Sequence, residues 1–176
     1  MGLPNSPARW SRFCHWISAG TRADVQKSWT RFLLGPESEH LRGAVLSSCC
    51  DDGIELIAKH REALEQKFKL DESNQHAQLC MLNKLETYQA AAAAGVPTPR
   101  FWVAQRREQI LALKDDMRYP IIVKPLLSHV YASRIGKGKF VRANNFDELL
   151  AGFRSLNERA GIEVVLMESI PGPDDR

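Results

Sequence analysis

The run Tyr119-Pro120-Ile121-Ile122-Val123-Lys124-Pro125 constrains the fold more than any other part of this chain. Three consecutive β-branched residues closed by proline on both sides are too few for a buried helix and too apolar for a solvated loop. They read as a short buried strand. Lys124 then stands where the strand surfaces, its Cα held rigidly while its ammonium is carried outward on a long stem. A second run, Val164-Val165-Leu166-Met167-Glu168, has the same character and ends on an acid before Ser169-Ile170-Pro171-Gly172-Pro173-Asp174. The prolines and glycine that follow stop strand pairing, which frees backbone N–H and C=O groups for other partners.

Helical periodicity fills the intervals. Asn83-Lys84-Leu85-Glu86-Thr87-Tyr88 opens a helix in which Leu85, Tyr88 and Ala92 recur at helical spacing. Asn83 suits its N-cap, and Gly95 supplies a left-handed stop before Val96-Pro97-Thr98-Pro99. A strand is predicted from Arg100 to Ala104, a helix from Arg106 to Met117, and a strand near Phe140-Val141. A strong helix follows, capped by Asn144 or Asn145, with Asp147 and Glu148 in its first turn and Phe146, Leu149, Leu150, Phe153 and Leu156 as its inner stripe. Strand, helix, strand, strand, helix, strand makes an α+β lobe with a mainly antiparallel sheet.

Residues 1–80 read as a separate α/β region. Ala44-Val45-Leu46 is predicted to be a short buried strand, followed by a helix opening at Asp51-Asp52-Gly53 with Ile54, Ile57, Leu64 and Phe68 facing inward. Acids in a first turn complement the helix dipole, which explains Asp51 and Asp52 without a metal. Trp10, Phe13, Trp16 and Ile17 recur at helical spacing and predict a helix packed on the domain; Trp29, Phe32 and Leu33 predict a second. The boundary between the two regions is placed near residue 80.

Lys84, Lys124 and Glu168 stand in motifs that together resemble the nucleotide-binding half of an ATP-grasp ligase, clearly from Asn83 to Asp174 and more faintly back to Gly43. The resemblance implies a partial pre-ATP-grasp α/β unit with N-terminal helices over residues 1–80, then the small nucleotide-binding lobe over residues 81–176, ending at the adenine-binding linker. It implies ATP as the cofactor, with Lys84 over the α-phosphate and Lys124 reaching the α- and β-phosphates as a point charge. It implies further that the backbone C=O of Glu168 and the N–H of Ile170 hold adenine, and that Asp174 takes the ribose hydroxyls. The family commonly has Asp where Asn83 stands, a change that loses a charge but keeps a helix cap.

The phosphate-covering loop corresponds to Leu126 through Lys139, which carries only two glycines, Gly136 and Gly138, both late. Lys-Pro followed shortly by Ser-His and then a later lysine is similar to the carboxylate–amine ligase branch that includes enzymes like D-aspartate ligase. Ser128 and His129 then contact phosphate or the acyl group, and Lys139 adds a positive charge; the alternative is a solvated hairpin connection.

In a ligase of this kind ATP phosphorylates a carboxylate to an acylphosphate, and an amine displaces the phosphate. The family's Mg²⁺ ligands lie in a larger lobe, expected outside this chain. The chain of 176 residues is therefore expected to be an incomplete copy or fragment that binds ATP weakly and does not turn over. The competing expectation is a non-catalytic interaction or regulatory module derived from the lobe.

A net charge of +3, with basic residues scattered along the chain, argues against a nucleic-acid partner. No apolar run approaches the roughly 20 residues that span a bilayer, and Arg9 and Arg12 interrupt any secretory signal. Cys14, Cys49, Cys50 and Cys80 lack metal-ligand spacing and are expected to be reduced, mostly buried thiols of a cytoplasmic protein. Apolar surface left by an absent lobe would favour homo-oligomers.

Overall fold

The two apolar runs pair directly with each other, Ile121 opposite Glu168 and Pro125 opposite Val164. Around that pair, strands β1 (Phe101–Val103), β2 (Ile121–Pro125), β3 (Val141–Ala143) and β4 (Val164–Glu168) form one sheet in the order β1-β4-β2-β3. Every pairing is antiparallel. The computed structural model describes residues 1–18, 20–21, 24–134 and 140–172, and its chain divides into two units, Met1–Leu79 and Cys80–Arg176. Among the described residues no helix is long and apolar enough to cross a membrane.

In the second unit, alternation along β2 and β4 sends Ile121, Val123, Val164 and Leu166 to one face of the sheet. There they meet Ile110 of helix α6 and Leu149 and Phe153 of helix α8, defined below, together with Leu156 and Ile162. Each such side chain contributes about 1.5–3 kcal/mol through its burial. Helix α8 approaches the sheet closely because Gly152 has no side chain: a Cβ there would lie 3.0 Å from Val141 Cγ1 and 3.6 Å from Val123 Cγ2.

The helices of this unit are α5 (Lys84–Ala93), α6 (Arg107–Ala112), α7 (Ser128–Arg134) and α8 (Phe146–Phe153). Asn145 caps α8 by accepting the Glu148 N–H at 2.9 Å, and Glu148 returns the contact to the Asn144 N–H at 2.8 Å. The helix expected from Arg106 to Met117 is shorter than its pattern, since a 3-10 turn at Lys114–Asp116 replaces its end. Leu126 to Lys139 is not a plain hairpin connection: α7 occupies its first half.

The first unit is helical: α1 (Val25–Leu34), α2 (Asp51–Lys59) and α3 (Arg61–Glu65) surround a small core of Leu33, Leu56, Ile57, Leu64 and Phe68. Helix α4 (Gln75–Leu82) follows. The helix predicted from Asp51 breaks at His60, which leaves helical geometry at φ −117°, ψ 19° and lets Leu64 and Phe68 still reach the core.

Three expectations fail here. The cysteines are not mostly buried: Cys14, Cys49 and Cys50 are exposed and Cys80 is partly so, since none of them lies on an inward-facing position of a core element. Ala44-Val45-Leu46 is not a buried strand: Val45 makes one isolated parallel bridge with Lys69 and is 77% exposed. With pairing on one side only, through Leu46 N–H to Lys69 C=O at 2.9 Å and Lys69 N–H to Ala44 C=O at 2.9 Å, three residues do not build a sheet. Nor do Trp10 to Ile17 form a packed helix. A single 3-10 turn spans Pro7–Trp10, and Trp10 and Phe13 are 81% and 84% exposed. Cation–π contacts of Arg9 with Trp10 at 5.3 Å and Arg12 with Phe13 at 4.6 Å hold these rings locally where the periodicity had implied burial.

Candidate functional site

Because Ile121 and Val123 fill the core, Ile122 and Lys124 must lie on the opposite face of the sheet. In register, Val165 and Met167 of β4 share that second face with Lys124 and Ile122, and Phe101 of β1 joins them opposite Met167. Helix α5 covers part of it: the Tyr88 ring lies 5.5 Å from that of Phe101, and the Tyr88 hydroxyl contacts Met167 Sδ at 3.4 Å. Burial raises the Tyr88 pKa above its ordinary value, so the hydroxyl stays protonated there.

Lys84 is the first residue of α5, and Asn83 caps the helix by accepting the Leu85 N–H at 3.1 Å. That start is tied to the chain just beyond β2. The Lys84 N–H donates to the Leu126 C=O at 3.2 Å, and Asn83 forms an antiparallel bridge with Leu127. The Lys84 ammonium donates to Ser128 Oγ at 2.7 Å. The sequence places Lys84 and Ser128 forty-four residues apart; the fold makes them neighbours. His129, next in α7, is buried at 9% exposure.

Lys124 lies two residues before the Leu126 carbonyl that anchors Lys84, on the sheet face that α5 covers. Its ammonium sits 5.9 Å from the centre of the Phe140 ring. Phe140 lies opposite Lys124 by extension of the β2–β3 register, which pairs Val123 with Val141. A cation over an aromatic face is attracted to the ring's negative centre, which steadies an otherwise mobile side chain. The two lysines thus come to the same side of one sheet, from a helix start and a strand end.

At the end of β4 the Glu168 N–H donates to the Arg100 C=O at 2.9 Å and the Ser169 N–H to the Pro120 C=O at 3.1 Å. Ile170, just beyond, is 61% exposed. Lys139 and Asp174 lie outside the described residues. The sequence alone sets Tyr88 on a helix and Arg100 and Phe140 on strands but gives none of them a part here. Strand register brings Arg100 and Phe140 to this region, and register is not visible in a single run of residues.

Among the described residues no group of three or more His, Cys, Asp or Glu side chains is placed to hold a metal ion.

No protein-family model matches the chain, and no curated protein matches it in sequence. Solved structures do match. Carboxyaminoimidazole ribonucleotide synthase from Aspergillus clavatus, solved with ATP, superposes with a TM-score of 0.65 at 15% identity, over 96% of this chain and 40% of that one. D-alanine–D-alanine ligase from Bacillus anthracis gives 0.61 at 18% identity, over 89% and 45% of the two chains. L-amino acid ligase from Bacillus licheniformis gives 0.57 at 18% identity, over 95% and 32%. This chain spans less than half the length of each. The likeness is one of fold: the chain has the α+β architecture, mixed helices and an antiparallel sheet, of part of these larger proteins.

Proposed function

We propose that this chain carries the nucleotide-binding portion of an ATP-dependent carboxylate–amine ligase that works through an acylphosphate. Residues 1–80 would be its pre-ATP-grasp remnant and residues 81–176 its small nucleotide-binding lobe. The observation that carries the reading is the placement of Lys84 and Lys124 on one side of the sheet, with Lys84 already directed to Ser128. Two ammonium groups held on a rigid helix start and a rigid strand attract a polyphosphate, whose charge they would offset. Three of the structurally similar proteins bear on the choice of nucleotide and reaction: the fungal synthase was solved with ATP, and the other two are ligases by name.

In this reading Lys84 contacts the α-phosphate and Lys124 the α- and β-phosphates, while Ser128 and His129 face phosphate or the acyl group and Lys139 adds charge. The Glu168 carbonyl and the Ile170 N–H receive the adenine edge, and Asp174 the ribose. In an extended chain, residues two apart direct their backbone groups to the same edge, so residues 168 and 170 offer an acceptor and a donor together. The lysines' work is positioning and charge neutralisation. No step is assigned to Mg²⁺, whose ligands are expected in the larger lobe.

Calorimetric titration with ATP tests the reading. The chain is expected to bind ATP, and Lys124→Ala to weaken that binding by about tenfold or more, the scale of one charge-assisted contact. Equal affinity in the variant, or no binding by the parent chain, would refute it.

A further inference from the structure

Glu168 sits where β4 stops pairing with β1. Extending the register that sets Phe101 opposite Met167 brings Arg100 opposite Glu168. A complete antiparallel pair at that position exchanges two bonds, one in each direction. The first is made, from the Glu168 N–H to the Arg100 C=O at 2.9 Å. The second is diverted: the Arg100 N–H donates to Glu168 Oε1 at 3.0 Å, and among the described residues no backbone N–H reaches the Glu168 carbonyl. On the other flank the Ser169 N–H donates to the Pro120 C=O at 3.1 Å, and proline has no N–H with which to answer. The ladder is thus left incomplete on both sides of the linker, once by a proline and once by a side chain.

We propose that the Glu168 carboxylate is a positioning group: it captures the Arg100 N–H and so keeps the Glu168 carbonyl open toward the strand edge as an acceptor for the 6-amino group of a purine. This rests on the functional reading above, in which the linker holds the base, and assigns the glutamate side chain a part in base selectivity. An N–H seated on that carbonyl would occupy its edge-facing lone pair, the direction from which a coplanar base must approach. A side-chain carboxylate is the stronger acceptor and wins the donor. The diversion therefore costs the sheet no unsatisfied N–H, and it leaves one carbonyl with unused capacity at the place where the sheet ends.

The test compares ATP with inosine triphosphate, whose 6-oxo group presents an acceptor where adenine presents a donor. Titrations use the parent chain, Glu168→Ala and Glu168→Gln. The parent chain is expected to prefer ATP by about tenfold, and Glu168→Ala to reduce that preference to about twofold or less, as one neutral hydrogen bond predicts. Glu168→Gln keeps an amide oxygen to receive the Arg100 N–H and is expected to retain the preference, which separates this role from one of charge. A second readout needs no nucleotide: scalar coupling across the hydrogen bond between the Arg100 amide nitrogen and the Glu168 carbonyl carbon is expected to be absent in the parent chain and present in Glu168→Ala. Coupling in the parent chain, or an undiminished ATP preference in Glu168→Ala, overturns the proposal. Failure of the parent chain to bind either nucleotide, with the coupling pattern as expected, instead overturns the functional reading and the role given to the carbonyl with it.

Discussion

Single residues divide cleanly into those that hold this lobe together and those it presents. Leu166 is fully buried between the β1 and β2 partners of its strand, so Leu166→Ala is expected to cost about 2–5 kcal/mol of stability, measured by denaturant unfolding. Lys124 is only half-buried and touches an exposed ring, so Lys124→Ala is expected to leave the unfolding stability within about 0.5 kcal/mol of the parent, with the thermal midpoint nearly unchanged, while nucleotide affinity falls. A large loss of stability would mean that the lysine stem is packing rather than presenting a charge. The positions of Lys84 at a helix start and of Lys124 near a strand end were legible because each stands at the edge of a periodic run, one after a cap and one after β-branched residues. Phe140 and Arg100 were not, because their roles depend on which residue lies across a strand gap. Trp10 and Phe13 misled for the opposite reason: their spacing is helical, yet each ring is held by an adjacent arginine rather than by a core.

At the scale of elements, the α8 start shows how local chemistry decides a boundary. Hydrogen bonds from the Asn144 backbone N–H, then from its side chain and that of Asn145, hold the Glu148 carboxyl below the usual carboxylate range. A depressed folded-state pKa contributes stability above the unfolded value of about 4.3, and this is lost as pH falls through the folded value. Glu148→Ala should therefore lower the melting temperature at neutral pH, and the gap from the parent should close in more acidic solution, as thermal melts across that range would record. A constant gap would assign the effect to helix propensity rather than to the carboxylate. Apart from α7, which falls in a stretch expected to be a loop, element types in residues 81–176 were readable because their periodicities are long or sharply bounded. In residues 1–80 the strand at Ala44-Val45-Leu46 failed because three apolar residues state a preference for extension but not who will pair with them.

Over the whole chain, the two units differ in how much core each owns. Among the described residues the sheet unit buries thirteen in one cluster, the helical unit five. Native-state hydrogen exchange is therefore expected to find its slowest amides in β2 and β4 and faster exchange in α1 to α3, since opening free energy follows buried contacts. Slower exchange in the helical unit would show that its small core is not its main support. The strand order β1-β4-β2-β3 carries a further consequence. The strand made last, Val164–Glu168, is an interior one, so during translation β1 has no neighbour and β2 has one open flank until those five residues leave the ribosome. A nascent chain in that interval displays two unpaired, largely apolar edges, the state in which strands recruit wrong partners. Ribosomal pausing before codon 164 would lengthen that exposure, and chaperone demand in the cell would rise with it.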